Sequence, residues 1–125
     1  MDRQDIRVSD GELQLLQLLW DESPLDAVEI SKRLPAERSW SLATVKTLLS
    51  RLLAKGAVAA EAQGRRYLYR PAIAREAVAS SQATRLIDRL FGGRVSPLVA
   101  QLAEQGTIQP KDLDELEALI RKLRK

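Results

Sequence analysis

The run Trp40-Ser41-Leu42-Ala43-Thr44-Val45-Lys46-Thr47-Leu48-Leu49-Ser50-Arg51-Leu52 decides how the chain folds. Ser41 is a good N-cap, because its hydroxyl can accept from an orphan backbone N–H of the first helical turn. Val45, Leu48, Leu49 and Leu52 recur at i, i+3, i+4 and i+7, the apolar stripe of an amphipathic helix. Thr44, Thr47 and Arg51 lie away from that stripe, flanked by Lys46 and Ser50. Gly56 is placed to close the helix. The spacing therefore predicts a helix with one leucine face to bury and one hydroxyl-and-cation face to offer.

Upstream, Ser9-Asp10-Gly11-Glu12 has the spacing of a capping box. It opens a helix with Leu13, Leu16 and Trp20 on one face and Leu19 beside them, ending near Asp21, with Ser23-Pro24 as its stop. Asp26-Ala27-Val28-Glu29 repeats the capping signature for a short second helix carrying Val28, Ile30 and Leu34. Leu34 precedes Pro35, which ends it, and residues 35–40 connect to the third helix. Downstream, 57–62 and 65–70 read as two strands joined at Gln63-Gly64, with Tyr67 and Tyr69 on one face, a basic tip, and Pro71 as the end. Helix, short helix, polar-faced helix and basic hairpin is the order of a winged helix-turn-helix, in which the third helix enters the major groove and the hairpin lies along the backbone.

Beyond Pro71 the pattern is helical. Ala77, Leu86, Ile87, Leu90 and Phe91 mark a long helix stopped by Gly92-Gly93. Ser96-Pro97 opens another, with Pro at the first helical position, carrying Leu98, Val99 and Leu102 and ending at Gly106. Pro110 opens the last, where Leu113, Leu116, Ile120 and Leu123 form an a/d seam. Its acids come early and its bases late, as the helix dipole favours. The expected architecture is mainly α with a small β wing: a DNA-binding winged helix over 1–71 and a three-helix domain over 72–125. A segment that small rarely stabilises itself without a disulfide, a metal or a partner. Pairing with a second copy about a two-fold axis is the simplest solution. The expected dimerisation residues are Leu86, Leu90, Phe91, Leu98, Val99 and Leu102, together with the seam.

Charge agrees with that division. Of the 125 residues, 20 are basic and 17 acidic, a mild excess. Residues 38–70, however, hold Arg38, Lys46, Arg51, Lys55, Arg65, Arg66 and Arg70 against Glu61 alone. Basic charge gathered on one element is the footprint of nucleic-acid binding, although a solvated basic face has the same composition. The chain has no Cys and no His. Disulfides, Cys- or His-based metal sites and Cys- or His-dependent catalysis are excluded, and no metal or cofactor is expected. No pocket-forming motif, phosphate loop or paired carboxylate stands out, so an enzyme is not expected. The N-terminus lacks the basic and apolar regions of a signal peptide, and no apolar run is long enough to span a bilayer, so a cytoplasmic protein is expected.

The expected DNA-binding set is Ser41, Ala43, Thr44, Lys46, Thr47, Ser50, Arg51, Lys55, Arg65 and Arg66. Short hydroxyls can approach base edges, and a Thr methyl can touch a thymine methyl. Arg51 and Lys55 can reach phosphates, and Arg65 and Arg66 can touch phosphate or a minor groove. Each has a plainer alternative. The threonines could be surface or capping residues, Arg51 could pair with an acid, and the tyrosines could pack the wing. Trp20 and Trp40 read as core. A module that meets an acidic protein instead of DNA would carry the same charge.

Ser9-Asp10-Gly11-Glu12-Leu13, Leu19-Trp20, the quoted run, Lys55-Gly56 and Gly64-Arg65-Arg66-Tyr67-Leu68-Tyr69-Arg70-Pro71 closely resemble the penicillinase-repressor family (BlaI/MecI/CopY type). Leu90-Phe91-Gly92-Gly93 and Pro97-Leu98-Val99 resemble it too. The resemblance implies a homodimeric bacterial transcriptional repressor that sits on a palindromic operator, one half-site per winged helix. In the resistance branch it also implies a membrane metalloprotease-type sensor that triggers cleavage inside the dimerisation domain. The pair matching the cleaved bond is Gln101-Leu102. Three departures stand out, the first being that this pair replaces the Asn-Phe of the resistance repressors. Leu42-Ala43 replaces the family's common Pro-Lys, and the Cys cluster of the copper-responsive branch is absent.

Overall fold

Capping decides where the first three helices begin. In the computed structural model, which describes residues 6–125, α1 spans Asp10–Asp21, α2 Ala27–Arg33 and α3 Leu42–Lys55. Ser9 and Glu12 exchange hydrogen bonds at the head of α1: Glu12 N–H donates to Ser9 Oγ (3.1 Å) and Ser9 N–H to Glu12 Oε1 (3.0 Å). Asp26 and Glu29 repeat the exchange on α2, both at 2.8 Å. Ser41 Oγ accepts from Thr44 N–H at 3.1 Å. Gly56, at φ 78°, closes α3 in the left-handed conformation that L side chains avoid.

The wing follows. Strands β1 (Val58–Gln63) and β2 (Arg66–Pro71) pair antiparallel, with Ala60 opposite Tyr69 and Gln63 opposite Arg66. The turn is Gly64-Arg65, one residue later than expected, and Gly64 takes φ 65° as the first residue of a two-residue loop. Pro71 lies inside β2, opposite Val58, rather than just beyond it. Leu25, between α1 and α2, pairs with Tyr69 through two backbone bonds of 3.1 and 2.8 Å. This one-residue bridge joins the wing to the helices.

Leu15, Leu16 and Leu19 of α1, Ile30 of α2, and Val45, Leu49 and Leu52 of α3 form the fully buried centre of the core. Burial of each such side chain contributes about 1.5–3 kcal/mol. The inward face of α1 is therefore Glu12, Leu15, Leu16 and Leu19, turned by about one position from the expected Leu13-Leu16-Trp20 face. Trp20 sits on the rim because its indole N–H needs an acceptor, which is Ile73 O at 2.9 Å. Val28 is exposed, since the single buried edge of α2 is filled by Ala27 and Ile30. Trp40 is half-buried and lies against Gly11, where an added Cβ would meet Trp40 Cη2 at 3.3 Å and Leu48 Cδ1 at 3.4 Å.

The chain divides into two compact units, one up to Gln82 and one over Ala83–Lys125. The division comes later than the expected boundary after Pro71 because Ile73 and Val78 are buried in the first core. The remaining helices are α4 (Arg75–Leu90), α5 (Val95–Glu104) and α6 (Pro110–Leu123). Helix α5 starts at Val95 with Arg94 as its N-cap, so Pro97 is its third residue rather than its first. Phe91 lies just beyond α4. Neither α5 nor α6 has a buried residue. Among the described residues, no helix is long and apolar enough to cross a membrane.

Candidate nucleic-acid interface

The leucine stripe fixes which way α3 faces. With Val45, Leu48, Leu49 and Leu52 turned inward, Ser41, Ala43, Thr44, Lys46, Thr47, Ser50 and Arg51 are all exposed. The hairpin presents Arg65 and Arg66 at its tip, exposed as well. Lys46, Arg65 and Arg66 line one cleft of about 240 Å³, with Val28 and Tyr67 also in its wall. α3 and the wing thus share one basic surface within the first unit.

The cations on it fall into two groups. Lys46, Arg51 and Arg65 form no ion pair among the described residues. Their charge is available to an external anion, and Arg51 does not take up the acid partner its sequence position allowed. The others are engaged. Arg66 Nη1 donates to Asp26 Oδ2 at 2.8 Å, and Arg70 Nη2 to Glu61 Oε1, diagonally across the wing, at 2.8 Å. Lys55 Nζ donates to Glu12 Oε1 and to Arg7 O, the latter at 2.6 Å. Lys55 therefore stitches the end of α3 to the start of α1, and Arg66 stitches the wing to the N-cap of α2. The backbone N–H of Glu29, and then the Arg66 guanidinium, hold the Asp26 carboxyl below the usual carboxylate range.

The hydroxyls are engaged too. Thr47 Oγ1 donates to Ala43 O at 3.0 Å, one turn back along α3. Thr44 Oγ1 and Ser41 Oγ bond to each other at 3.2 Å. Ser50 makes no side-chain hydrogen bond among the described residues. Arg38, outside the expected set, stacks over the Trp40 ring at 4.9 Å beside the head of α3. Its place in the basic run was the only signal that could have found it. Tyr67 is 57% exposed, whereas burial against the core pushes the Tyr69 phenol above its usual range.

The expected dimerisation residues lie elsewhere, in α4–α6. Leu90, Leu113, Ile120 and Leu123 are exposed, and Leu86, Phe91, Leu98, Val99, Leu102 and Leu116 are half-buried. Gln101 and Leu102 fall inside α5, the first exposed and the second half-buried.

A helix-turn-helix with a paired wing, and unpaired cations on its third helix and wing tip, defines a DNA-binding transcription regulator. The model of the penicillinase repressor family matches residues 8–122, and the chain belongs to that family. It is similar to the penicillinase repressor of Bacillus licheniformis, 26% identical over 91% of this chain and 89% of the relative. It is also similar to the methicillin resistance regulatory protein MecI of Staphylococcus aureus strain N315, 20% identical over 98% of this chain and 99% of the relative. Among solved structures, the DNA-binding domain of the repressor BlaI superposes with a TM-score of 0.53 at 32% identity, covering 61% of this chain and 93% of that one. The family is one of transcriptional repressors, not enzymes, and this chain is a DNA-binding transcriptional repressor.

Proposed function

We propose that the protein represses transcription as a homodimer on a palindromic operator. The winged helix within the first unit of each protomer reads one half-site, and the second unit joins the two. The observation that carries the pairing is the apolar surface of the second unit. Leu113, Ile120 and Leu123 are each at least 51% exposed along α6, and neither α5 nor α6 buries any residue. A seam of that kind left in water forgoes most of the stabilisation its sequence offers, and a second copy would recover it. A two-fold dimer would set its half-sites about 34–36 Å apart or at multiples of that distance.

In this reading the phosphates are met by Lys46, Arg51 and Arg65, and the bases by the outer face of α3. Release by cutting Gln101-Leu102, under a membrane metalloprotease-type sensor, belongs to the same reading. That bond lies within α5, so cleavage would need the helix to open locally.

The test is fluorescence anisotropy at fixed near-physiological salt. Palindromic DNA from upstream of the protein's own gene is compared with a scrambled duplex of equal length. The expected result is a preference of about a hundredfold or more. Equal, weak binding to both would overturn the operator assignment and bring forward an acidic protein partner for the basic surface.

A further inference from the structure

Thr47 sits in the middle of the exposed face of α3, between Lys46 and Arg51, the two unpaired cations of that helix. Its hydroxyl looks like a base-reading group, but the hydrogen bond to Ala43 O uses its one proton. A threonine bonded back to the preceding turn has its oxygen turned onto the helix backbone. The tetrahedral Cβ then leaves the γ-methyl as the group free to meet a partner. Ala43, one turn back, adds a second exposed methyl on the same side of the helix. At the head of the helix, Ser41 and Thr44 spend their hydroxyls on each other and on the Thr44 N–H. Polar side chains without a partner within the described chain flank this patch, at Lys46, Ser50 and Arg51.

We infer that Thr47, together with Ala43, is the specificity-determining residue for a thymine in each half-site, and reads its 5-methyl group by apolar contact rather than by a hydrogen bond. The inference rests on the operator reading above and gives it a chemical target. The C5-methyl of thymine is the one apolar group a base pair presents in the major groove, so a methyl patch on the reading helix has one complement there. The same patch has nothing to offer the N7 and O6 acceptors of guanine.

The experiment begins with the full-length protein and a random duplex library, from which the preferred duplex is selected. Each thymine of that duplex is then replaced in turn by deoxyuridine, which removes the methyl and keeps the Watson–Crick pairing. Binding is measured for the wild-type protein and for Thr47→Ser and Thr47→Val. The expected result is one thymine per half-site at which deoxyuridine weakens wild-type binding about fourfold, the worth of one buried methyl. Thr47→Val, which keeps the methyl and loses the hydroxyl, retains that sensitivity. Thr47→Ser, which keeps the hydroxyl and loses the methyl, binds thymine and deoxyuridine alike at that position. A preferred duplex indifferent to every deoxyuridine substitution would overturn the inference alone, leaving the operator reading in place. Loss of the sensitivity in Thr47→Val with its retention in Thr47→Ser would overturn it in favour of reading by the hydroxyl. Failure to select any preferred duplex would overturn both. Matching thermal melts of the three proteins show that the comparison concerns the helix surface and not the fold.

Discussion

The ammonium of Lys55, at the end of α3, donates to Glu12 Oε1 at the start of α1, and that carboxylate is 2% exposed. The same oxygen accepts the N–H of Ser9, so one atom serves both the cap of α1 and the anchor of α3. Lys55 clamps the end of α3 to the start of α1, and its removal is felt in folding. Lys55→Ala leaves a buried carboxylate without its cation and lowers stability by about 2 kcal/mol, less than for a fully buried pair because the lysine side chain is 34% exposed, checked by chemical denaturation. Arg51→Ala, on the exposed face, changes stability by less than about 0.5 kcal/mol. An Arg51→Ala variant that melts as poorly as Lys55→Ala would refute this division.

Salt dependence follows from the same sorting. In the proposed dimer, the three unpaired cations of each protomer, Lys46, Arg51 and Arg65, would make six phosphate contacts. The logarithm of affinity then falls with the logarithm of salt at a slope of about −5. Arg51→Ala removes two contacts and brings the slope to about −4, with affinity falling on specific and random DNA alike. A flat salt response from the wild-type protein would sink the phosphate assignment.

Asp26 sets an acid limit on the wing's attachment. Its carboxyl is held down first by the backbone N–H of Glu29 and then by Arg66. A depressed folded pKa gives stability that is complete above the unfolded value of about 3.9 and is lost as pH falls through the folded value. Asp26→Asn therefore flattens the acid limb of the stability profile below about pH 4. Asp26→Ala costs about 1 kcal/mol at neutral pH through the lost cap. An unchanged acid limb in Asp26→Asn would show that Arg66 holds the wing by some other means.

The proposed dimer predicts a separation of affinities. Leu116→Asp puts a charge on the seam of α6, and sedimentation of the variant should show a monomer. Its binding to a single half-site should stay near that of a wild-type protomer, while its advantage on the full palindrome disappears. A Leu116→Asp protein that remains dimeric would move the interface away from α6.

Much of this was legible in the sequence because it rests on local chemistry. Two capping boxes and Ser41 place the heads of α1, α2 and α3, and the leucine spacing of α3 selects its inward face. What was not legible depends on partners distant in the chain. Leu25 pairs with Tyr69 across the fold as a single residue, too short to leave any strand pattern. Glu12 reads as a cap and nothing more until Lys55 is brought beside it. Trp20 reads as core until Ile73 O appears as its acceptor. Among the expected DNA-binding residues, sequence gave no means of telling the unpaired Arg65 from its neighbour Arg66, because Asp26 lies far away along the chain.

Gly11 has a reach that its place on α1 does not suggest. It leaves room for the edge of Trp40, the residue just before the cap of α3, where any Cβ would crowd the ring. The seating of α3 is therefore adjustable from a residue outside the expected DNA-binding set. Mutants selected for weaker or stronger repression have a target at residue 11, and a change there would alter repression while leaving every residue of the proposed interface intact.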